Sequence, residues 1–443
     1  MKTIFLFVPP SLISDLLRTP YLKHAAEKFR VIVFTRTVDQ ETGEREYLKS
    51  PNVIYHRWKT HNSKLLGRFK FFRIDGIHQF NYLRGVAQYY QKNIFLSDRR
   101  ARLIRFLTRP FGKILTTDFF TTVEKFLIKV PREFRDAVKK YQPSAVAVST
   151  PGMTVFEAEA ILMAKRLGVP TAAVNFNWDN LTLQKAHLMR RCDFLLVWND
   201  IIKEQAIKIH KYHPNKVMAT GVMRFDHYFQ KGKEEISRDE FLKTKGLNPN
   251  LKTILIITES KNYSFQLKWF RKLFELRERG SIPYANVFIR IHPHDTPEAY
   301  KEFSGLPDVN VELAGQPMVN QADRIEMRVS DLENQKLTIK HTDINFNYCS
   351  TMSLESMIFD KPVVIFYEPG HYDTEKTHFK PILDVGSAKL VRSPEELALT
   401  IKQYLTNPGL DREKRKLVLD RYMPFRDGQS PKRSVEALAK ILK

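Results

Sequence analysis

Short apolar runs alternate with amphipathic segments along most of this chain. An apolar run bounded by Gly, Pro or polar residues is typical of a buried strand, and apolar residues three and four apart are typical of a helix. The first residues predict a strand at Lys2–Val8, a helix at Leu12–Phe29 and a second strand at Val31–Thr35. A β-α-β start of this kind is typical of a Rossmann-like domain.

The same pattern continues to the end of the sequence and predicts an α/β protein. Further strands are predicted at Ala145–Ser149, Thr171–Asn175, Phe194–Trp198, Thr253–Ile257, Asn286–Ile291, Asp343–Asn347, Val363–Phe366 and Lys389–Val391. At 443 residues the chain is long for one core, so two or three domains are expected. No G-x-G-x-x-G motif follows a strand, which argues against a dinucleotide dehydrogenase.

Composition points to an anionic partner. The formal net charge is +23 and the sequence pI is about 9.7, a balance that suits nucleic acid, a membrane surface or a phosphorylated substrate. The two cysteines, Cys192 and Cys349, are too few for a disulfide framework and suit a reducing cytosol. Pro9-Pro10 ends the first apolar run too early for a signal peptide, and no run is long enough to span a membrane.

Much of the excess charge lies in one basic, aromatic segment. Residues 57–113 contain 14 Lys and Arg against two acids. The aromatic residues of this segment are Phe69, Phe71, Phe72, Phe80, Tyr82, Tyr89, Tyr90, Phe95, Phe106 and Phe111. Such a segment suits a helix in the headgroup plane of an anionic bilayer, and a solvated face over an ordinary core is the alternative. Nucleic acid is not expected, because no nucleic-acid-binding motif accompanies the run.

A hydroxyl-rich turn between a strand and a helix is the first candidate site. Ser350 and Thr351 stand where unpaired backbone N–H groups favour an anion, and hydroxyls can bind a phosphate together with those amides. Glu355 follows one turn deeper, where a carboxylate can accept hydrogen bonds from a ribose. The alternative is that the hydroxyls only cap the helix.

The strand at Asn286–Ile291 leads into the second candidate site, Arg290-Ile-His292-Pro. Strand side chains repeat every two residues, so Arg290 and His292 are expected on one face, where they can hold a phosphate. A structural histidine in a turn is the alternative. The spacing of His292, His294 and Asp295 suits no common metal site.

The third candidate site follows the strand at Thr171–Asn175. The loop carries Trp178, Asp179 and Asn180, with Lys185 close behind, at the strand's carboxyl end, where open α/β sheets bind ligands. Asp179 is the candidate general base for an acceptor hydroxyl. An Asx-type turn with a packed Trp178 is the alternative.

These three segments together resemble a known group of enzymes. Ser-Thr-x-x-x-Glu followed by Lys-Pro-Val, the His-Pro motif and Trp-Asp-Asn resemble bacterial surface-polysaccharide glycosyltransferases of the GT-B fold. That group is related to the CDP-glycerol glycerophosphotransferases and to the Kdo- and sialyltransferases with an HP motif. Gly221-x-x-Arg-Phe-Asp226 and the segment Gly428–Arg433 resemble the same group. For the first of them, a hinge with an Arg–Asp pair is the alternative.

The resemblance implies two Rossmann-like domains facing across a cleft. The first domain is expected at residues 1–228, with a basic helical arm at about 60–140, and a linker at 229–250. The nucleotide-donor domain is expected at 251–407. A C-terminal helix within 408–443 is expected to cross back to the first domain.

The function that the resemblance implies is transfer of a sugar or polyol phosphate from a nucleotide-activated donor to a hydroxyl of a surface glycan or lipid-linked acceptor. The resemblance implies that the phosphate of the donor is held by Arg290, His292, Ser260, Ser350 and Thr351. His292 and Asp179 would be catalytic. Glu355 would bind the ribose. Trp178, Asn180, Lys185 and Arg224 would face the acceptor.

We expect neither a cofactor nor a metal, and a location in the cytoplasm on the inner face of the membrane. The alternatives are a nucleotide-sugar 2-epimerase and a non-catalytic membrane- or polyanion-binding protein on the same fold.

Overall fold

The computed structural model describes most of the chain in two compact units. The first comprises Met1–His227 and Phe425–Lys443, and the second Tyr228–Pro424. The described residues are 1–84, 103, 106–107, 109–174, 177–183, 185–230, 236–260, 264–318, 321–369 and 378–442. Tyr89, Tyr90 and Phe95 of the predicted basic arm, and residues 231–235 of the predicted linker, therefore lie outside the described residues.

Each unit is built around a sheet of short strands. The strands are β1 (Thr3–Phe7), β2 (Arg30–Thr35), β3 (Val53–Arg57), β4 (Ala145–Val148), β5 (Thr171–Val174), β6 (Phe194–Val197), β7 (Val217–Ala219), β8 (Thr253–Ile257), β9 (Asn286–Ile291), β10 (Val309–Leu313), β11 (Gln316–Met318), β12 (Gln321–Glu326), β13 (Ile344–Asn347), β14 (Val363–Phe366) and β15 (Ala388–Val391).

Helices connect most of these strands. The helices are α1 (Ile13–Leu17), α2 (Tyr21–Lys28), α3 (Gln40–Glu46), α4 (Ser63–Leu83), α5 (Thr117–Leu127), α6 (Arg132–Tyr141), α7 (Val155–Arg166), α8 (Asp200–Lys208), α9 (Asp226–Phe229), α10 (Arg238–Thr244), α11 (Gln266–Glu278), α12 (Val329–His341), α13 (Met352–Ile358), α14 (Lys380–Val385), α15 (Pro394–Thr406), α16 (Arg412–Tyr422) and α17 (Ser430–Ile441).

The first unit contains a seven-stranded sheet in the order β3-β2-β1-β4-β5-β6-β7. Every neighbouring pair is parallel. The strands β1, β4 and β5 are buried along their whole length, which explains why they read as continuous apolar runs in the sequence.

The second unit repeats this arrangement with a six-stranded parallel sheet in the order β10-β9-β8-β13-β14-β15. Its strand order reverses between β8 and β13, which is the topological switch point where open α/β sheets bind ligands. One face of this sheet packs on an aromatic core that includes Phe270, Phe346 and Phe366. The two parallel sheets confirm the predicted α/β fold class.

The C-terminal helix α17 is anchored within the first unit. Both carboxylate oxygens of Asp226 accept hydrogen bonds from Ser430, one from its amide at 2.7 Å and one from its hydroxyl at 2.8 Å. Gly221 has a φ of 97°, and a Cβ there would lie 2.3 Å from Ser430 Oγ. The two Gly-containing segments that stood out in the sequence therefore pack against each other, and Asp226 is engaged by Ser430.

Three charged side chains are buried together near α4 and α5. Glu124 accepts hydrogen bonds from Arg73 Nη1 at 3.1 Å and from Arg190 Nη2 at 2.9 Å. Arg73 and Glu124 are each 1% exposed. Burial lowers the pKa of Arg73, with a further lowering by Arg190 and an opposing effect of Glu124.

We expect Glu124→Gln to lower the free energy of unfolding by about 3–5 kcal/mol, because it leaves two buried guanidinium groups without their counter-ion. Urea unfolding measures this. The matched control is Glu133→Gln on the exposed side of α6, for which a change below about 0.5 kcal/mol is expected. Equal effects of the two substitutions would contradict a structural role for the buried cluster.

Two local expectations differ from the structure. The helix predicted at Leu12–Phe29 is divided into α1 and α2, because Pro20 has no N–H to continue a helix and restricts the residue before it. The strand β7 was not predicted, because three residues are too few to show a strand pattern. None of the described helices is long and apolar enough to cross a membrane.

Candidate functional site

Three turns that carry predicted phosphate-binding residues lie at the carboxyl edge of the second unit's sheet. The strands β9, β8 and β13 are parallel neighbours, so the turns that follow them lie side by side at one edge. These turns are Thr258–Ser260, His292–Asp295 and Tyr348–Thr351. We refer to them together as the donor rim.

Hydrogen bonds join the three turns of the donor rim. The His292 amide donates to Thr258 Oγ1 at 2.9 Å, which ties the turn after β9 to the turn after β8. The Cys349 amide donates to the Glu259 carboxylate, which ties the turn after β8 to the turn after β13 across the switch point. The sheet therefore brings His292, Ser260, Ser350 and Thr351 to one place.

The hydroxyl-rich turn is held by a residue that precedes it. Asn347 Oδ1 accepts a hydrogen bond from the Ser350 amide at 3.0 Å, and Asn347 Nδ2 donates to Ser353 Oγ at 3.1 Å. Ser350 Oγ accepts a weak bond from the Met352 amide at 3.4 Å. The half-exposed Thr351 hydroxyl makes no hydrogen bond within the described residues, so it is available to a ligand.

The imidazole of His292 has a defined tautomer. Its Nδ1 accepts a hydrogen bond from the His294 amide at 3.0 Å, so the proton of a neutral ring is carried by Nε2. Burial and then the nearby His294 lower the pKa of His292 to about 4, with an opposing effect of Asp295. At neutral pH this side chain is therefore an uncharged N–H donor.

Glu259 is a carboxyl group at the switch point itself. Its Oε1 is buried and has no hydrogen-bond partner in the described part of the chain. Burial raises the pKa of Glu259 to about 7, against the hydrogen bond from the Cys349 amide, which lowers it. Ser260, the next residue, is half-buried in the same turn. The donor rim thus contains a carboxyl group that changes charge near neutral pH.

Arg290 and Glu355 lie below the rim in a buried polar network. Arg290 is 2% exposed and donates to Glu312 at 3.3 Å and to Gln335 at 3.4 Å. Glu355 is 0% exposed and accepts hydrogen bonds from Gln335 at 2.5 Å and from the Tyr228 hydroxyl. Neither side chain is accessible to a ligand in this arrangement. The predicted contacts of Arg290 with phosphate and of Glu355 with ribose therefore require the hydrogen bonds of this network to break.

The candidate residues of the first unit follow β5. Asp179 is ion-paired with Lys185 at 2.5 Å. Asn180 is 5% exposed, and its Oδ1 has no hydrogen-bond partner among the residues that the structure describes. Trp178 is 2% exposed and packs inside the unit. A carboxylate held by a lysine and an unsatisfied amide oxygen are thus adjacent at the carboxyl edge of this sheet.

Arg224 is half-buried on the surface of the first unit. Its guanidinium lies 5.1 Å from the centre of the Phe225 ring, and its carbonyl accepts a hydrogen bond from His227 Nδ1 at 2.9 Å. Both oxygens of the Asp226 carboxylate accept hydrogen bonds from Ser430, and the alternative of a hinge with an Arg–Asp pair stays a prediction.

Several residues that support the donor rim or the network below it were not singled out from the sequence. Tyr228 and Gln335 hold Glu355 but lie far from it in the chain, so no local pattern links them. Asn347 did carry a signal, because a polar residue in a buried strand needs a hydrogen-bond partner. Within the described ranges no group of three His, Cys, Asp or Glu is placed to hold a metal.

Comparison with protein families gives one match over most of the chain. The model of the family described as CDP-Glycerol:Poly(glycerophosphate) glycerophosphotransferase matches residues 139–440. No curated protein sequence matches the chain.

Solved structures resemble the whole chain at low sequence identity. Staphylococcus aureus MnaA, in a co-structure with UDP, is 13% identical with a TM-score of 0.57, and the match covers 100% of this chain and 97% of MnaA. UDP-GlcNAc 2-epimerase from Neisseria meningitidis, bound to UDP-GlcNAc, is 14% identical with a TM-score of 0.56 and coverages of 99% and 100%. The wall teichoic acid polymerase TagF is 10% identical with a TM-score of 0.48 and coverages of 99% and 88%. At identities this low, the two matches with TM-scores above 0.5 show a shared fold and nothing about activity.

Proposed function

Because the chain belongs to the CDP-glycerol:poly(glycerophosphate) glycerophosphotransferase family, we propose that it transfers a sugar or polyol phosphate from a nucleotide-activated donor to an acceptor hydroxyl. The acceptor is a cell-surface glycan or a lipid-linked precursor of one. The observation that carries this proposal is the donor rim, where the turns after β8, β9 and β13 are hydrogen-bonded to one another at a topological switch point.

The donor rim supplies hydrogen-bond donors for a departing nucleotide phosphate. His292 Nε2–H, the hydroxyls of Ser350 and Thr351, and the hydroxyl of Ser260 are the proposed contacts. Fixed donors of this kind stabilise the charge that grows on the leaving group as the bond to the transferred group breaks. We propose that the HP motif acts through this hydrogen bond from His292. The motif resembles that of the Kdo- and sialyltransferases.

Arg290 and Glu355 are proposed to act on the nucleotide from below the rim. The Arg290 charge lies within the same network as Glu355 and favours an anion above it. Glu355 reaches a ribose only if the ligand's hydroxyls replace the Tyr228 and Gln335 hydrogen bonds. Exchange of such bonds between side chains and ligand hydroxyls is close to balanced in energy.

Asp179 is the proposed base that accepts the proton of the acceptor hydroxyl. Lys185 orients its carboxylate through the ion pair. Asn180 Oδ1, which has no hydrogen-bond partner among the described residues, can accept a hydrogen bond from an acceptor hydroxyl. Trp178 supports this loop from inside the unit, and Arg224 is proposed to face the acceptor. The attacking oxygen loses its proton to Asp179 as it bonds to the activated carbon or phosphorus.

The proposed reaction is tested by measuring nucleotide release from UDP-, CDP- and CMP-linked donors in the presence of an acceptor extract, with and without EDTA. A transferase releases nucleotide only when acceptor is present, and release that survives EDTA supports chemistry without a divalent metal. Epimerisation of a UDP-sugar without stoichiometric release would overturn the transferase proposal. Binding without any turnover would identify a non-catalytic protein.

Donor affinity is expected to fall as the pH rises through about 7, because Glu259 is neutral below its raised pKa and negatively charged above it. An ionised carboxylate in the donor rim repels the donor phosphate, and an effect on the order of tenfold in Kd is expected between pH 6 and pH 8. Calorimetric titration with CDP measures this.

Glu259→Gln is the control for this pH dependence. The ligand's own titration is common to both proteins, so the variant should lose only the part that Glu259 contributes. An identical pH profile for the variant and the wild type would show that Glu259 does not face the donor.

We also propose that the first unit associates with anionic membranes. Apolar side chains near α5 are largely exposed, among them Phe106 at 73%, Phe126 at 66% and Phe111 at 56%. They lie in or next to the basic segment, and apolar groups with adjacent Lys and Arg suit an anionic interface.

Phe106→Ser with Phe126→Ser should lower binding to phosphatidylglycerol vesicles by about tenfold, because each aromatic residue contributes buried apolar area at the interface. Vesicle co-sedimentation measures this. Leu399→Ser, at a residue 59% exposed on α15 of the second unit, is the matched control and should leave binding unchanged. If the double variant and the control sediment alike, the exposed aromatic residues do not bind the bilayer.

A further inference from the structure

A cavity of about 570 Å³ opens at the amino edge of the first unit's sheet. Its walls come from α5, from the loop between α7 and β5, and from the starts of β6 and β7. The loop that carries Asp179 follows the opposite, carboxyl end of β5. The cavity is therefore separate from the residues to which we assign the acceptor.

The lining of the cavity carries more positive than negative charge. Its cations are Lys125, Lys165, Arg191 and Lys216, and its acids are Asp118 and Asp193. Four cations against two acids leave an excess of two positive charges. A concave surface with an excess of one charge concentrates ligands of the opposite charge.

Both acids are already engaged by cations of the same lining. Lys165 Nζ lies 2.7 Å from Asp193 Oδ1, and Arg191 Nε lies 3.2 Å from Asp118 Oδ1. Asp193 also accepts two hydrogen bonds from Thr171 through its other oxygen. The excess positive charge of the cavity consequently belongs to the remaining two lysines.

Lys125 and Lys216 form no ion pair within the described part of the chain. Each ammonium group instead lies over an aromatic ring, Lys125 at 4.7 Å from the centre of Phe126 and Lys216 at 4.4 Å from the centre of Phe194. A ring face holds a cation in place without neutralising it. Thr122, one helical turn before Lys125, adds a hydroxyl to the same lining.

We propose that this cavity is a second binding site, which takes the phosphate group of a phosphate-bearing ligand between Lys125 and Lys216. Its volume lies in the range of small-molecule sites, and phosphate is matched by two ammonium groups and a hydroxyl. The site goes beyond the proposed transfer reaction, since it contains none of the residues assigned to donor or acceptor. A soluble phosphate-bearing chain and a phospholipid headgroup both present this chemistry.

The test is lysine acetylation of the full chain, followed by mass spectrometry, in the presence of sodium tripolyphosphate or of phosphatidylglycerol vesicles. Occupation of the cavity should slow the acetylation of Lys125 and Lys216. The exposed Lys28 and Lys139, which make no ion pair in the described ranges, are the reference positions and should react at an unchanged rate.

A matched pair of variants completes the test. Lys125→Met with Lys216→Met should raise the Kd for tripolyphosphate by about tenfold, measured with Glu259 and His292 intact. Lys28→Met with Lys139→Met carries the same change in charge and should leave the Kd unchanged. Because both readouts report binding, they stand apart from the outcome of the nucleotide-release assay.

The possible results separate the sources of the ligand. Protection by tripolyphosphate supports the site with a soluble ligand, and protection by vesicles alone supports it with a lipid headgroup. Absence of protection in both arms, or equal protection of Lys28 and Lys139, would overturn the proposal. An equal rise in Kd in the two double variants would overturn it as well.

Discussion

His292→Ala should lower nucleotide release by a factor of about 10²–10³, because it removes a fixed hydrogen-bond donor aimed at the departing phosphate. The donor is Nε2–H, since Nδ1 is occupied by the His294 amide. Release of nucleotide under saturating donor and acceptor measures the effect. The thermal unfolding midpoint should change little, because the side chain is half-buried in a turn.

His292→Gln is the variant that separates chemistry from structure. The Gln amide nitrogen reaches about as far from the backbone as ring Nε2, so its N–H should recover part of the lost activity, and the alanine variant should not. His294→Ala is the matched control, because His294 is exposed and the variant keeps the backbone amide that fixes the tautomer of His292. If His292→Ala releases nucleotide at the rate of the wild type, the assignment of the donor rim is wrong.

Asp179→Asn should lower transfer by a factor of about 10²–10⁴, the usual contribution of a positioned general base. The amide keeps the shape of the carboxylate but cannot accept the acceptor's proton. Nucleotide affinity should be unaffected, because Asp179 is proposed to contact the acceptor and not the nucleotide. Transfer assays and CDP titrations on the same preparation measure both quantities.

The pH dependence of the Asp179 variant gives its control. A lost base is partly replaced by hydroxide, so residual transfer by Asp179→Asn should rise steadily with pH. Asp200→Asn, an exposed acid in the first turn of α8, should leave transfer unchanged. Wild-type transfer by Asp179→Asn would show that another group is the base.

The sheets were the most predictable part of this protein. A strand that is buried on both faces, such as β8, reads as a continuous apolar run that ends in a polar turn. The pattern predicts that the candidate turns follow strands, and it does not show the order of the strands in the sheet. The order itself then brought the turns together, since β8 lies between β9 and β13.

The roles of individual side chains were less predictable, because they depend on contacts between distant residues. Strand alternation predicts the face of the sheet on which Arg290 lies. It does not predict the hydrogen bonds by which Glu312 and Gln335 engage the Arg290 side chain. Burial lowers the pKa of His292 and leaves it uncharged at neutral pH, which its residue type alone does not show. The raised pKa of Glu259 could not be predicted, because nothing in the local sequence shows that one of its carboxylate oxygens is buried.

The most direct test of the central claim is a crystal structure of the protein with CDP. The account predicts that an oxygen of the terminal phosphate lies about 3 Å from His292 Nε2, at the turns that follow β8, β9 and β13. A nucleotide whose phosphates bind elsewhere on the chain, with His292 Nε2 facing no phosphate oxygen, would contradict it.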